Sequence, residues 1–156
     1  AIEALVALPG VTLLIAGSGP EERALKSLAS RLGVSERVHW AGVVPQAELK
    51  RWYSAADVLT LCSSREGWAN VLLEAMACGT PVIATDIWGT SEVVSTEAAG
   101  RLMERRDARA LADAWHDLMS AMPARSATRQ YAEGFSWDAT TQGQWQLFES
   151  VVHAAP

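Results

Sequence analysis

The chain has few cysteines, only Cys62 and Cys78 among its 156 residues. The two do not form a C-x-x-C motif, and neither has a histidine or another thiol nearby at the spacing of metal ligands. A disulfide scaffold is therefore excluded, and we expect two reduced thiols in a cytoplasmic protein. No metal site and no cofactor are predicted.

Positive charge is also scarce. Thirteen Lys and Arg residues stand against eighteen Asp and Glu residues, which gives a net charge of -5 and a pI near 5.2. Because a surface that coats nucleic acid phosphates needs the opposite sign, nucleic acid is not an expected partner. Any anionic ligand must instead be bound by a few local donor groups and not by a positively charged surface.

Long hydrophobic runs are missing as well. The apolar opening of residues 1–16 is interrupted by Glu3 and by Pro9-Gly10, so it falls short of the roughly 18 apolar residues of a membrane span. We expect neither a membrane-spanning nor a targeting segment. Since the chain starts without methionine, in what reads as the tail of a helix, we expect it to be an excised piece of a longer protein.

The composition that remains is that of a packed globular domain, with 49% hydrophobic and 20% charged residues. Short β-branched runs alternate with amphipathic segments, and then only helices follow. Predicted strands are 11–16, 37–40, 57–61, 81–85 and 99–103; predicted helices are 20–32, 46–55, 70–78, a short one from 91, 107–122, 124–133 and 137–152. The first strand lacks polar alternation and is predicted to be buried on both faces. Trp145 is expected in the core.

This alternation predicts one α/β domain, residues 1–156, built on a Rossmann-like, doubly wound parallel sheet with a helical tail from about residue 124. Ligands of such sheets bind at the carboxyl ends of the strands. The first of these loops, Gly17 to Glu22, superficially matches G-x-G-x-x-G. Its third glycine position holds Glu22, however, and two acids there would repel a pyrophosphate, so a plain turn is predicted.

The segment from Ser63 to Pro81 carries the strongest chemical signal. Glu66 and Glu74 flank a predicted helix start that Asn70 can cap, and the free N–H groups of residues 68–71 form a positive pole. Were the whole segment helical, the two carboxylates would lie roughly 12 Å apart along the axis, which suits a ligand with a diphosphate between two polar ends. The alternative is a solvated glutamate beside a capping loop.

A family resemblance bears on this choice. Residues 63–94, SSREGWANVLLEAMACGTPVIATDIWGTSEVV, resemble the Glu-x7-Glu signature region of the retaining glycosyltransferases of family four, which have the GT-B fold. The upstream blocks LLIAGSGP, RVHWAGVV and LKRWYSAADV are similar in order and spacing, so that the likeness covers about residues 11–107. It implies two Rossmann-like domains with the active site between them. This chain resembles the C-terminal, donor-binding domain alone, and the N-terminal acceptor domain is absent.

The resemblance also implies roles for individual residues. Glu66 would be the catalytic residue beside the transferred sugar, and Glu74 would hold the ribose hydroxyls. The other predicted donor-binding residues are Gly67, Trp68, Ala69 and Asn70 at the sugar and phosphates, Val43 at the base, and Gly17. Family members supply an arginine and a lysine for the diphosphate from a strand and loop that would precede Ala1.

Two departures from the family pattern leave the sugar open. Trp68-Ala69 stands where family members usually have an aromatic-glycine pair, and Trp88-Gly89 stands where they often have two glycines. Trp68 and Trp88 could stack on a sugar or base. Packing of the two loops is the equally favoured alternative.

The sequence thus predicts the donor-binding half of a retaining glycosyltransferase that takes a sugar from a nucleotide diphosphate. Its partners are the nucleotide-sugar donor and the absent domain, which alone could contact a membrane surface, while the acceptor is not indicated. Two alternatives remain. One is the donor domain of a GT-B-fold nucleotide-sugar epimerase; the other is a non-catalytic nucleotide-binding module.

Overall fold

The computed structural model describes residues 1–154 of the chain. Its strands are β1 (Leu13–Ala16), β2 (Val38–Gly42), β3 (Leu59–Leu61), β4 (Val82–Thr85) and β5 (Gly100–Met103). Its α-helices are α1 (Glu22–Arg31), α2 (Gln46–Ala55), α3 (Asn70–Ala77), α4 (Ala108–Ser120), α5 (Arg125–Glu133) and α6 (Trp137–Ala154). Short 3-10 turns lie at Glu3–Val6 and Ser35–Arg37. The α/β class with C-terminal helices is confirmed.

All strand pairs are parallel, as predicted, but they form two sheets and not one continuous sheet. One sheet has the order β1-β2 and the other the order β3-β4-β5. Within residues 1–154 no ladder of backbone hydrogen bonds joins the two. The Glu3–Val6 turn links them by packing, because Leu5 lies in the apolar cluster under β2 and Ala4 in the cluster under β4 and β5.

Burial differs sharply between the two sheets. In β4 the side chains of Val82, Ile83 and Ala84 are fully buried. Val82 and Ala84 pack with α3 and α5 on one face, and Ile83 packs with α4 on the other. β1 instead alternates between half-buried and exposed residues, with Leu14 43% exposed. The prediction that β1 is buried on both faces is therefore wrong, because packing elements cover only the face of Leu13 and Ile15.

The short helix predicted from Ser91 is also wrong, since residues 88–93 form turns. Thr90, only 1% exposed, explains the difference. Its hydroxyl accepts a hydrogen bond from the Ile87 N–H at 3.1 Å and donates to the Thr85 carbonyl at 2.6 Å. A threonine that binds nearby backbone groups in this way competes with helix formation. The loop after β4 is thereby held in a fixed shape.

Helix α6 exposes most of its apolar side chains. Trp145 is 65% exposed, so its predicted place in the core is wrong; the described apolar clusters contain no residue of α6. The exposed apolar residues of this helix are Trp137, Trp145, Leu147, Phe148, Val151 and Val152. Among the helices within residues 1–154, none combines the length and the apolar character needed to span a bilayer.

Candidate functional site

Most of the predicted site residues lie in loops that follow the carboxyl ends of strands. Gly17 follows β1, Val43 follows β2, and Glu66 to Ala69 form the loop between β3 and α3. Glu74 lies inside α3, one turn after its first residue. In parallel α/β folds this is the edge at which ligands bind, because the chain leaves the strands there as loops and helix N-termini.

Gly17 and Gly42 join the ends of β1 and β2. The Gly17 N–H donates to the Gly42 carbonyl at 2.6 Å, and both residues have positive φ angles, +127° and +65°. Val43, the next residue, is 75% exposed. The predicted base-binding position is therefore an open apolar surface beside a rigid backbone link.

Gly89, in the loop after β4, lies directly against the backbone of Gly67. A Cβ atom at position 89 would fall 2.1 Å from the Gly67 carbonyl oxygen, and the φ angle of Gly89 is +88°. A side chain at Gly67, in contrast, would meet nothing within 4 Å. Gly89 thus lets the β4 loop support the segment that carries Glu66. No role was predicted for Gly89 from the sequence, although its position shortly after a buried strand could have indicated one.

The N-terminus of α3 differs from its predicted form. The helix begins at Asn70, its N-cap is Ala69, and no side chain caps it. Asn70 therefore does not cap the helix, because it already lies inside the first turn. Since residues 66–69 are not helical, the helical spacing of about 12 Å between Glu66 and Glu74 does not apply either.

The positive pole predicted at this point depends on free N–H groups. The Asn70 N–H donates to the Trp68 carbonyl at 3.0 Å. Within residues 1–154, the N–H groups of Trp68, Ala69 and Val71 have no backbone acceptor. These groups, with the dipole of α3, favour an anion at the start of the helix.

Glu74 is exposed, yet its carboxylate has a fixed partner. The Tyr53 hydroxyl, from the last turn of α2, donates to Glu74 Oε2 at 3.0 Å. Burial and the bond to Glu74 raise the pKa of Tyr53 to about 12, so at neutral pH the phenol is protonated and remains a donor. The sequence did not indicate this pair, because its members come from two helices and are 21 positions apart.

The two tryptophans of the site, Trp68 and Trp88, differ in how much of the side chain is exposed. Trp68 is 46% exposed, and its ring lies 6.3 Å from that of Phe135 at an angle of 59°. Trp88 is 77% exposed. Trp68 therefore packs on Phe135, in the loop between α5 and α6, with one part of its ring. Trp88 offers an open face beside Gly89.

The site is an open surface. Neither Glu66 nor Glu74 lines the cavities of about 190 and 440 Å³. The smaller one lies between the start of the chain and the loop before α4, and the larger one is lined mainly by residues of β5 and α4. In the described part of the chain, no hydrogen bond connects the Gly17–Val43 region with residues 66–74. Nor does any group of three or more His, Cys, Asp or Glu side chains there suit a metal ion. What the surface offers is backbone donors for an anion and carboxylates for hydroxyl groups.

Comparison with known proteins gives consistent matches. The family model for glycosyl transferases group 1 matches residues 1–135. The chain is 38% identical over 140 residues to a D-inositol 3-phosphate glycosyltransferase of Corynebacterium urealyticum, covering 86% of this chain and 33% of that protein. It is 38% identical over 146 residues to one of Frankia alni, covering 89% and 35%. The chain therefore spans about a third of the length of these relatives.

Solved structures match the fold over almost the whole chain. Sucrose-phosphate synthase from Thermosynechococcus elongatus superposes with a TM-score of 0.80 at 32% identity, over 99% of this chain and 43% of that one. Anabaena HepE, solved in complex with UDP, superposes with a TM-score of 0.75 at 26% identity, over 97% and 44%. The chain belongs to the group 1 glycosyltransferase family and has the fold of the C-terminal domain of a GT-B enzyme.

Proposed function

We propose that this chain is the donor-binding half of a retaining glycosyltransferase and that its donor is a uridine diphosphate sugar. Transfer of the sugar to an acceptor requires the rest of the protein. The relatives named above are glycosyltransferases, which favours transfer over epimerisation and over a purely non-catalytic module.

One observation carries the proposal. Glu66 and Glu74 flank the start of α3, whose unpartnered N–H groups form an anion site at the carboxyl end of β3. HepE, which matches 97% of this chain, was solved in complex with UDP. A pneumococcal O-GlcNAc transferase that matches the same share, at 26% identity, was solved with UDP and GlcNAc. Both support a uridine nucleotide.

Each group of the site has a part in binding the donor. The N–H groups of Trp68, Ala69 and Val71 bind the diphosphate, Glu74 accepts hydrogen bonds from the ribose hydroxyls, and the base lies on Val43 beside the Gly17–Gly42 link. Glu66, half-buried, faces the transferred sugar. Trp88 extends the surface on the sugar side.

Catalysis in this arrangement is electrostatic. The leaving diphosphate gains charge as the glycosidic bond breaks, and the preorganised N-terminus of α3 stabilises that charge. The carboxylate of Glu66 stabilises the positive charge that develops at the anomeric carbon. As the family resemblance implies, further neutralisation of the diphosphate is assigned to cations of the rest of the enzyme.

Calorimetric titration of the chain with UDP, GDP and ADP tests the proposal. We expect saturable binding of UDP at millimolar concentrations or below and weaker binding of the other two. The chain alone should release no sugar from any nucleotide-sugar donor, because the acceptor site is absent. Equal binding of all three nucleotides would refute the uridine donor, and undetectable binding of all three would refute donor binding. Turnover by the chain alone would refute its role as one half of an enzyme.

Trp68 should report donor binding by fluorescence. Its ring is partly exposed next to the anion site, so a bound diphosphate sugar will change the polarity around it. We expect UDP-glucose to change the emission of the parent chain and to cause a clearly smaller change in Trp68→Phe, in which Trp88 remains on the sugar side. Trp145→Phe, which removes an exposed tryptophan on α6, should keep the signal. A Trp68→Phe chain that responds like the parent would place the reporter elsewhere.

A further inference from the structure

We infer that Tyr53 is a positioning residue that holds Glu74 in the orientation needed to bind ribose. The inference rests on the proposed function, because it assigns Tyr53 a role through the ribose contact of Glu74. Its basis is the hydrogen bond from the Tyr53 hydroxyl to Glu74 Oε2, 3.0 Å long, which joins α2 to α3.

Glu74 needs such a partner because of where it lies. Its side chain is exposed on the surface of α3, and a free glutamate there would sample many rotamers. A carboxylate has about four acceptor positions. The phenol occupies one of them on Oε2 and leaves Oε1 for the two vicinal hydroxyls of a ribose. Tyr53 therefore reduces the entropy lost on binding without blocking the ligand.

Tyr53 can fix Glu74 because its own position is fixed. Its ring packs against the apolar cluster of α3 and β4. The fully buried Thr80 donates to the Tyr53 carbonyl at 2.6 Å. Arg125, from α5, donates to the Ser54 carbonyl at 3.1 Å and to the Ala56 carbonyl at 2.5 Å. The carboxyl end of α2 is thus held to α5, and the phenol reaches Glu74 from a rigid support.

The phenol is also a constant donor. Burial and the contact with Glu74 raise the pKa of Tyr53 to about 12, so the hydroxyl keeps its proton throughout the neutral range. The direction of the hydrogen bond follows, since an ionised glutamate can only accept.

The decisive experiment compares UDP with its 2′,3′-dideoxy analogue. Calorimetric titrations are carried out on the parent chain and on Tyr53→Phe, Glu74→Ala and the double variant. Tyr53→Phe should weaken UDP binding about fivefold and leave the affinity for the analogue within about twofold, because the analogue has no ribose hydroxyls for Glu74 to bind. Added to Glu74→Ala, Tyr53→Phe should cause no further loss of UDP affinity, since Tyr53 acts only through Glu74.

Tyr131→Phe is the matched control. Tyr131 is the other tyrosine of the chain, and its hydroxyl donates to the Val93 carbonyl at 2.9 Å, away from Glu74. This variant should keep the parent's preference for UDP over the analogue. Thermal unfolding of every variant, recorded without ligand, separates a loss of affinity from a loss of folded protein.

The outcomes distinguish the inference from the function on which it rests. If Tyr53→Phe weakens both nucleotides equally, or neither, or if its effect persists without Glu74, Tyr53 does not position Glu74. If Glu74→Ala keeps the parent's preference for UDP over the analogue, then Glu74 does not bind ribose, and the proposed function loses this contact. A parent chain that binds UDP no more tightly than the dideoxy analogue would overturn both the role of Tyr53 and the ribose contact of Glu74.

Discussion

Replacing Glu74 by Ala should weaken UDP binding to the chain by about 1.5–3 kcal/mol, whereas replacing Glu66 by Ala should leave it nearly intact. The two acids should differ because they are assigned to opposite ends of one ligand. Glu74 makes a charge-assisted hydrogen bond to the ribose, which UDP contains. Glu66 faces the sugar, which UDP lacks.

Calorimetric titration with UDP measures both losses, and Glu36→Ala provides the control for charge. Glu36 is exposed in the Ser35–Arg37 turn, just before β2 and thus at the opposite end of that strand from Val43. Removing any one acid reduces the net negative charge of -5 and so slightly favours an anionic ligand. The effect of Glu36→Ala therefore gives the baseline for the other two variants. If Glu74→Ala and Glu66→Ala lose the same amount of UDP affinity, both residues are solvated surface acids without distinct roles in binding.

During catalysis, in contrast to nucleotide binding, Glu66 should be the acid whose removal has a large effect. In an enzyme that contains this domain together with its acceptor domain, Glu66→Ala should lower kcat at saturating donor. Its contact gains strength as charge develops on the sugar, and such a contact contributes to kcat more than to binding of the ground state. A Glu66→Ala enzyme with an unchanged kcat would exclude Glu66 as the catalytic residue.

Replacing Gly89 by Ala should destabilise the fold by roughly 2–4 kcal/mol and reduce UDP affinity tenfold or more. A methyl group at this position would fall 2.1 Å from the Gly67 carbonyl oxygen, well inside van der Waals contact, at a φ of +88°. The loop after β4 cannot yield easily, because Thr90 is buried and its hydroxyl bonds to the backbone of Thr85 and Ile87 at the start of the loop. The loop of Glu66 and Gly67 must move instead, and the N-terminus of α3 moves with it.

Gly33→Ala separates the steric clash from the backbone strain. Gly33 has a φ of +69° and nothing within 4 Å of a Cβ position, so its substitution adds only the strain, roughly 1 kcal/mol. Chemical denaturation gives both stabilities, and titration with UDP gives both affinities. If Gly89→Ala proves no more harmful than Gly33→Ala, the β4 loop moves aside freely and does not support the site.

Local pattern was enough to place most elements of the fold. The predicted strands and helices, apart from the one at Ser91, end within two residues of those observed. Alternation of short apolar runs with amphipathic segments depends on periodicities that neighbouring residues define, and Gly33 and Gly134 mark helix ends by the same local chemistry. The family resemblance, carried by contiguous motifs such as Glu66 to Glu74, was recognisable for the same reason.

The chain's acidity, its α/β class and its glycosyltransferase family were thus decided by composition and local order. The contacts that shape the candidate site were decided by packing, because they join segments that the sequence separates. Gly89, in the loop after β4, supports Gly67 in the loop after β3, and Tyr53 reaches Glu74 from another helix. The division into two parallel sheets is of the same kind, since pairing between strands depends on which edges meet in space and not on the pattern within any one strand.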